Sequence, residues 1–207
     1  MAHILYIHPD NPQQRLLCQA AESLKNQGVI ILPTDSGYAL ATAIDNKKGQ
    51  DRMASIRQLE KQHFFSLICA DLSDIAHYAR VDNAQYRLLK TATPGAFTFI
   101  LKASQELPKR VFGDKRKTIG IRVPNHPVVQ ALLTELDAPL LTTTLILPGE
   151  DISQMYVEDI VDKVNHHVDI VIDGGGCSFE PTTILDLSEG LPPTLLRQGQ
   201  GDASAFI

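Results

Sequence analysis

The sequence predicts an α/β protein in which a mixed, twisted β-sheet is flanked by helices. Short apolar segments rich in β-branched residues alternate with helical patterns along the chain, as in layered α/β folds. Both hairpin-like and crossover connections are indicated, which favours a mixed sheet over the regular parallel order of a dinucleotide-binding domain. The 207 residues, of which 43% are hydrophobic and 21% charged, have the composition of a folded globular protein. A single domain over residues 1–207 is expected.

The elements of the N-terminal half are indicated by apolar patterns and by the residues that interrupt them. The pair Asn11-Pro12 opens the first helix, and Gly28 ends it. The turn Pro33–Gly37 separates two strands, because proline fixes one backbone dihedral angle and Gly37 permits a positive φ. The predicted strands of this half are His3–Ile7, Val29–Leu32, Tyr38–Ala43 and Ser66–Ala70, and the later helices are Lys47–Leu59, Leu72–Tyr78 and Asp82–Ala92.

The C-terminal half is divided in the same way. The pair Pro94-Gly95 ends the preceding helix, and Pro124 introduces a helix over His126–Leu136. Two strands on either side of a basic loop form a hairpin-like excursion. The predicted strands of this half are Phe97–Leu101, Thr118–Val123, Leu140–Leu147, Val168–Ile172, Thr183–Leu187 and Thr194–Arg197, with a further helix at Val157–Val164.

Charge is unevenly distributed along this acidic chain, whose formal net charge is −5. Such a balance argues against a protein that coats nucleic acid over its whole surface. Between Leu107 and Arg122, however, basic residues outnumber the single acid, Asp114. A loop of this kind either tracks an RNA backbone by shape and charge or is simply solvated. The loop residues that would contact RNA are Lys109, Arg110, Lys115, Arg116 and Lys117.

Hydroxyl and arginine side chains recur at the ends of the predicted strands. Arginine forks and short hydroxyls bind anions such as carboxylate and phosphate. Threonine is also favoured in strands for its shape alone, and an arginine at a strand end is often only solvated. The prediction of an anion site therefore depends on the combination of Thr34, Thr118, Arg122, Thr142–Thr144, Thr182, Thr183 and Arg197.

The sequence does not indicate other kinds of site. Cys18, Cys69 and Cys177 are widely spaced, so neither a disulfide framework nor a zinc site is expected. The triplet Gly174–Gly176 lacks the lysine and hydroxyl of a P-loop, so a plain glycine turn is predicted. No segment has the length of a membrane span or the pattern of a signal peptide, and a cytoplasmic protein is expected.

Five short motifs are spread over nearly the whole chain. They are Pro33-Thr34-Asp35-Ser36-Gly37-Tyr38, Pro94-Gly95-Ala96-Phe97-Thr98, Thr118-Ile119-Gly120-Ile121-Arg122-Val123-Pro124, Pro181-Thr182-Thr183-Ile184 and Leu196-Arg197-Gln198-Gly199. In this order they resemble the YrdC/YciO-type family of threonylcarbamoyl-AMP synthases, most closely its YciO branch. The resemblance implies a YrdC-like twisted mixed sheet flanked by helices, with a large, positively lined cavity.

The resemblance also implies a reaction class. In the synthases, threonine and bicarbonate form a carbamate that attacks the α-phosphate of ATP. Pyrophosphate leaves, and the adenylate that remains is used in transfer RNA modification. Positioning and neutralising the triphosphate would supply most of the catalysis, with Mg²⁺ as an expected helper.

Individual roles follow from the same resemblance. Arg57 stands where the synthases have the first lysine of a Lys-x-Arg motif, and it keeps the charge. The positions that resemble the family's amino-acid site are Thr34, Arg122, Thr144 and Thr182. The positions that resemble its nucleotide site are Arg57, Thr118 and Arg197.

The chain departs from the synthases at positions that would face the nucleotide. Leu59 replaces the second basic residue of the Lys-x-Arg motif, and Ile146 replaces the asparagine of a Ser-x-Asn motif. Neither apolar side chain can hydrogen-bond a phosphate, and His63 and Ile68 also differ from the polar residues of the family. At about 1–3 kcal/mol for each lost charged hydrogen bond, two losses would lower the rate by a few orders of magnitude.

We therefore expect a nucleotide- and RNA-binding protein with weak or divergent adenylate-forming activity. Its small ligand would be ATP or AMP, and its RNA partner a transfer RNA or a double-stranded RNA. The alternative is an active L-threonylcarbamoyladenylate synthase in transfer RNA modification. A purely structural interaction module agrees poorly with so many anion-binding side chains.

Overall fold

The computed structural model describes residues 1–59, 65–112, 117–150, 156–164 and 166–207. Over these ranges the chain forms one β-sheet of eleven strands and seven helices. The strands are β1 His3–Tyr6, β2 Ile30–Thr34, β3 Gly37–Ala43, β4 Ser66–Ile68, β5 Ala79–Arg80, β6 Phe97–Ala103, β7 Thr118–Arg122, β8 Leu140–Thr144, β9 Ile170–Asp173, β10 Thr183–Asp186 and β11 Thr194–Arg197. The helices are α1 Gln14–Lys25, α2 Lys47–Ile56, α3 Leu72–Tyr78, α4 Asn83–Ala92, α5 Lys109–Phe112, α6 Pro127–Leu136 and α7 Val157–Val164.

The predicted elements are present, and the strand ends differ from the prediction by three residues at most. Two short elements, β5 and α5, were not predicted. Each is shorter than the stretch of sequence over which a strand or helix pattern is read, so neither leaves a pattern to detect.

The sheet is mixed, as predicted. Its strand order is β1-β9-β2-β3-β8-β4-β7-β6-β10-β11, with β5 paired to β6. Parallel pairs join β1 to β9, β2 to β9, β4 to β7 and β6 to β10, and the remaining pairs are antiparallel. The hairpin-like arrangement of β6 and β7 is confirmed, with Phe99 opposite Ile121 and Lys102 opposite Thr118.

Alternation along the strands gives the sheet two different faces. On one face, residues such as Phe99, Ile119 and Ile121 pack with apolar residues of α2, α3, α4, α5 and α7 in one buried cluster. On the opposite face, residues such as Leu32, Ala39 and Ile172 pack with α1 and α6 in a second cluster. The side chains of Thr118 and Arg122 belong to this second face, because they alternate with Ile119 and Ile121.

Helices α1 and α6 cover only part of the second face. They pack with each other and against β2, and α1 also contacts β3, on the side of the sheet that includes β1 and β9. Polar or small residues occupy the same face on β8, β4, β7 and β6, namely Thr142, Ser66, Gly120 and Thr98. This half of the face is where the candidate site lies. None of the helices within the described ranges is long and apolar enough to cross a membrane.

Candidate functional site

A pocket of about 290 Å³ opens on the polar half of the second face. Three guanidinium groups and a ring of hydroxyls line it, so it is suited to an anion. Its lining residues are Ala39, Arg57, Ser66, Thr98, Arg122, Thr142, Thr143, Thr144, Ile146, Thr182, Ile184 and Arg197. The structure thus brings five predicted site residues together, namely Arg57, Arg122, Thr144, Thr182 and Arg197.

Arg122 is the most deeply buried of the three arginines, with only 6% of its surface exposed. Its Nη2 donates to the carboxylate of Asp35 and, at 2.8 Å, to Oγ of Ser36. The other carboxylate oxygen of Asp35 accepts from the backbone N–H of Asn125 at 3.0 Å. The turn between β2 and β3 is therefore fixed to the end of β7 around one guanidinium group.

The guanidinium of Arg122 is only partly satisfied by the protein. Its Nε is buried and has no hydrogen-bond partner among the described residues. Burial lowers the pKa of Arg122, the charge of Asp35 raises it, and the charge of Arg197 lowers it. Since an arginine stays protonated in proteins, the pocket contains a buried cation with an unused donor.

Arg197 approaches the pocket from β11 and is held by the loop before β10. Its Nε and Nη2 both donate to the carbonyl of Thr182, at 3.0 and 2.8 Å, and Nη2 lies 3.3 Å from Oγ1 of Thr182. That hydroxyl also lies 2.8 Å from Oγ1 of Thr98. Two hydroxyls and a guanidinium thereby form one polar corner of the pocket.

Arg57 follows α2 and reaches the end of β8. Its Nε donates to the carbonyl of Ile146 at 3.1 Å, and its Nη1 donates to Oγ1 of Thr143 at 2.6 Å. Burial lowers the pKa of Arg57. The side chain of Ile146 lines the pocket, whereas Leu59 is not among the lining residues and its N–H bonds the carbonyl of Ala54 at 2.9 Å.

Two predicted site residues, Thr34 and Thr118, are not among the residues that line this pocket. The buried hydroxyl of Thr34 donates to the carbonyl of Gly37 at 2.6 Å and accepts from the N–H of Ser36 at 3.1 Å, so it shapes the turn. Thr118 shares a face with Arg122 but begins the same strand, about 13 Å away along β7.

The described residues at the start of the basic loop pack on the face of the sheet opposite the pocket. The buried residues Leu107 and Val111 belong to the cluster that contains Ile119 and Ile121. Lys109 and Arg110 are exposed on α5, Arg110 donates to the carbonyl of Ile44 at 3.2 Å, and Lys117 is exposed before β7. The predicted RNA-contacting residues Lys115 and Arg116 lie outside the described residues.

Four polar residues of the site were not singled out by sequence reasoning: Asp35, Ser36, Ser66 and Thr98. Asp35, Ser36 and Thr98 lie within the recognised motifs, so the motifs were the signal for them. Ser66 left no such signal; its hydroxyl lies beside Gly120, where an added Cβ would come within 2.8 Å of Oγ.

The glycine triplet Gly174–Gly176 lies in the loop after β9, where it contacts β2 and β3. The carbonyl of Gly175 accepts from the hydroxyl of Tyr38 at 2.9 Å. A Cβ at Gly174 would lie 2.7 Å from Cγ of Pro33 in β2, so the loop after β9 needs glycine to approach this strand so closely. Within the described ranges, no group of three or more His, Cys, Asp or Glu residues is arranged to hold a metal ion.

Comparison with known proteins identifies relatives over the full length of the chain. YciO of Escherichia coli K12 is 48% identical over 207 residues, and a protein of Haemophilus influenzae is 49% identical over 208 residues, each with complete coverage of both chains. The threonylcarbamoyl-AMP synthase of Vibrio vulnificus is 29% identical over 187 residues, which cover 88% of this chain and 98% of the synthase.

Solved structures share the fold. The crystal structure of E. coli YciO superposes with a TM-score of 0.95 at 48% identity, with complete coverage of both chains. P. abyssi Sua5 complexed with L-threonine has a TM-score of 0.86 at 21% identity, with 96% of this chain and 58% of Sua5 covered, and this likeness concerns the fold. A family model described as "Telomere recombination" matches residues 22–199. The resemblance found in the sequence is confirmed: the chain belongs to the Sua5/YciO/YrdC family, which is related to the threonylcarbamoyl-AMP synthases.

Proposed function

We propose that this protein binds a nucleotide phosphate in the arginine pocket, binds RNA through its basic loop, and has weak or divergent adenylate-forming activity. The observation that carries the nucleotide proposal is that three guanidinium groups, those of Arg57, Arg122 and Arg197, line one pocket. Arginine forks bind phosphate and carboxylate oxygens, so a pocket with three of them is suited to the phosphate of ATP or AMP beside the carboxylate of an amino acid.

The polar corner formed by Arg197 supports the same proposal. Arg197 is close enough to Arg122 for its charge to lower the pKa of Arg122, and the hydroxyls of Thr98 and Thr182 lie beside Arg197. Two guanidinium groups in one pocket repel each other when it is empty, so an anion between them relieves this repulsion. A phosphate or a carboxylate fits this chemistry.

The family relation suggests which reaction these groups would assist. P. abyssi Sua5 is a protein complexed with L-threonine, and we assign the equivalent amino-acid site here to Arg122, Thr144 and Thr182, with Thr34 shaping the adjoining turn. Threonine and bicarbonate would form a carbamate with loss of water, and a carbamate oxygen would then attack the α-phosphorus of ATP while the bond to pyrophosphate breaks. Arg57 and Arg197 would neutralise the phosphates, with Thr118 further along the same face and Mg²⁺ as a helper in solution.

Slow catalysis is proposed because part of the pocket wall is apolar. Ile146 contributes its carbonyl to Arg57 but presents an apolar side chain to the pocket, and Arg57 already uses Nε and Nη1 within the protein. Fewer donors therefore remain for a triphosphate. Losing one charged hydrogen bond in the transition state, at about 1–3 kcal/mol, corresponds to roughly one to two orders of magnitude in rate.

The test is to incubate the purified protein with threonine, bicarbonate and labelled ATP, and to follow the adenylate and pyrophosphate. Calorimetry with AMP and ATP measures binding separately. We expect both nucleotides to bind, pyrophosphate to form slowly, and the Arg197→Ala variant to bind about tenfold or more weakly. The matched control is Arg52→Ala, which removes an exposed arginine paired with Asp169 and should leave the affinity unchanged. Absence of nucleotide binding would reject the proposal.

An active L-threonylcarbamoyladenylate synthase is the second candidate. It is favoured by the 29% identity to the Vibrio vulnificus synthase over 88% of this chain. In the same assay, threonine-dependent pyrophosphate release at a typical enzymatic turnover of about 1 per second or more would select this candidate over a binding protein.

A further inference from the structure

We propose that Gln200, which does not line the pocket, positions Arg122 and Arg197. Its side chain hydrogen-bonds the β2–β3 turn and the loop before β10 to the segment that contains Gln200 itself. The inference rests on the proposed function in one respect, namely that the pocket binds a phosphate-bearing ligand. It adds a positioning residue in the segment that follows Arg197. This segment, residues 197–201, is called the C-terminal strap below.

The side-chain amide of Gln200 faces three oxygen atoms from two other loops. Its Nε2 lies 2.8 Å from the carbonyl of Asp35, 2.9 Å from Oγ of Ser178 and 2.8 Å from the carbonyl of Glu180. The backbone N–H of Gln200 donates to the carbonyl of Pro181 at 3.0 Å. One residue thus joins the β2–β3 turn, the loop before β10 and the strap.

The bond to Asp35 connects Gln200 to Arg122. The carboxylate of Asp35 receives Nη2 of Arg122 and the N–H of Asn125, while its carbonyl receives Gln200. Asp35 is therefore held from both its side chain and its backbone. If the backbone bond were lost, the carboxylate and the guanidinium it holds would be free to shift together.

The strap itself has little freedom to move relative to the loop before β10. Arg197 donates to the carbonyl of Thr182, and the N–H of Gly199 donates to Oγ1 of Thr183 at 2.9 Å. A Cβ at Gly199 would collide with the carbonyl of Pro181 and with the backbone of Thr182, so the two backbones are in direct contact. The strap and this loop therefore form one rigid support for Arg197.

The β2–β3 turn carries the support for Arg122, so the spacing of the two guanidinium groups depends on how the turn is fixed to the strap. The side chain of Gln200 makes that connection. In these contacts Nε2 of Gln200 acts only as a donor toward oxygen acceptors, which gives a specific chemical test. A residue at position 200 that can donate hydrogen bonds should preserve the connection, and one that cannot donate should break it.

Three substitutions separate this role from simple packing. Gln200→Met keeps the length but removes the donors, Gln200→Glu places a carboxylate against three oxygens, and Gln200→Lys restores donors. The matched control is Gln198→Met, because the amide of Gln198 bonds only within the strap and to Thr183 among the described residues. Thermal unfolding of each variant shows whether it is folded.

We expect the affinity for AMP, measured by calorimetry, to fall about tenfold in Gln200→Met and further in Gln200→Glu. Gln200→Lys should remain within about threefold of the wild type, and Gln198→Met should be unchanged. An AMP affinity in folded Gln200→Met equal to that of a wild type that binds AMP would overturn the inference and leave the proposed function standing. An equal loss in Gln200→Lys would also overturn it, because donors would then be irrelevant.

A second measurement needs no ligand. The N–H of Asn125 bonds the carboxylate of Asp35, so its hydrogen exchange reports whether Asp35 is held. We expect exchange at Asn125 to become faster in Gln200→Met and to return toward the wild-type rate in Gln200→Lys. Unchanged exchange in Gln200→Met would show that Gln200 does not hold Asp35 in place and would overturn the inference. If exchange is faster in Gln200→Met but the wild type binds neither AMP nor ATP, the positioning role of Gln200 is supported and the proposed function is rejected instead.

Discussion

The carboxylate of Asp35, on the turn between β2 and β3, accepts a hydrogen bond from Nη2 of Arg122 at the end of β7, 87 residues away in sequence. Both side chains are nearly buried, with 12% and 8% of their surfaces exposed. By contrast, the pair of Arg52 and Asp169 leaves 39% and 44% exposed. The two pairs have the same chemistry and differ in burial, so they provide a direct comparison.

Replacing Arg122 by alanine should destabilise the protein by roughly 3–5 kcal/mol, because the carboxylate of Asp35 then stays buried without its partner. Arg122→Ala with Asp35→Asn should recover part of this loss, since the remaining buried group is neutral. Arg52→Ala should cost only about 1 kcal/mol or less, because its pair is exposed. Urea unfolding measures all three. Equal losses at Arg122 and Arg52 would contradict the structural reasoning.

The same double variant, Arg122→Ala with Asp35→Asn, tests the ligand assignment with a smaller loss of stability than Arg122→Ala alone. If Arg122 contacts phosphate, the affinity for AMP should fall about tenfold or more in calorimetry. Asp35→Asn alone controls for the second substitution. Unchanged AMP affinity in the double variant would show that the phosphate binds elsewhere.

Restoring donors to the apolar wall should raise adenylate formation. Ile146 lines the pocket and Leu59 does not, so Ile146→Asn should account for most of the gain and Leu59→Arg should add to it. A gain of about tenfold in pyrophosphate release corresponds to one restored hydrogen bond to a charged group. Ile184→Asn is the matched control, because it adds the same amide to another wall of the pocket. A folded double variant without any gain would mean that other positions define this branch.

The strands and their polar face could be predicted from the sequence because both depend on local alternation. Ile119 and Ile121 alternate with Thr118 and Arg122, which is enough to predict a strand with one polar face. The pairing of Asp35 with Arg122 could not be predicted, because it depends on how far the twisted sheet brings β7 toward the β2–β3 turn. That is a property of the whole sheet.

In the sequence, all threonines at strand ends have the same pattern, whereas in the structure they have different roles. The hydroxyl of Thr34 is used within its own turn, and that of Thr182 lies in the pocket beside Arg197. The difference arises from which neighbouring carbonyl is within reach, and a side chain of one type gives no hint of it. The shared sequence motifs therefore do not distinguish threonines that support the turn from threonines that line the pocket.

His126, which precedes α6, should make the stability of the protein depend on pH. Its Nδ1 is buried without a partner among the described residues, and burial lowers its pKa below the ordinary 6.5 despite the opposing charge of Asp35. The unfolded chain then binds more protons than the folded chain between the two pKa values. The free energy of unfolding therefore rises with pH through this window and falls as the pH drops below about 6.5.

Replacing His126 by glutamine should flatten this dependence between about pH 5 and about pH 8 in urea unfolding. The exposed His166 provides the control, since His166→Gln should leave the slope as in the wild type. A slope that persists in His126→Gln would assign the pH dependence to another group.

RNA binding is expected to depend on the basic loop, whose residues Lys115, Arg116 and Lys117 would contact phosphates without reading bases. Changing all three to alanine should weaken binding to a structured RNA by about tenfold or more and make the slope of log affinity against log salt concentration shallower by about 3. The control Lys47→Ala, Lys48→Ala and Lys90→Ala removes the same charge from other exposed positions and should have a smaller effect. The described residues Leu107 and Val111, which precede these three positions in the sequence, pack on the face of the sheet opposite the pocket, so we expect AMP not to compete with the RNA. Full RNA affinity in the first triple variant would place the RNA surface elsewhere, and competition by AMP would place it at the pocket.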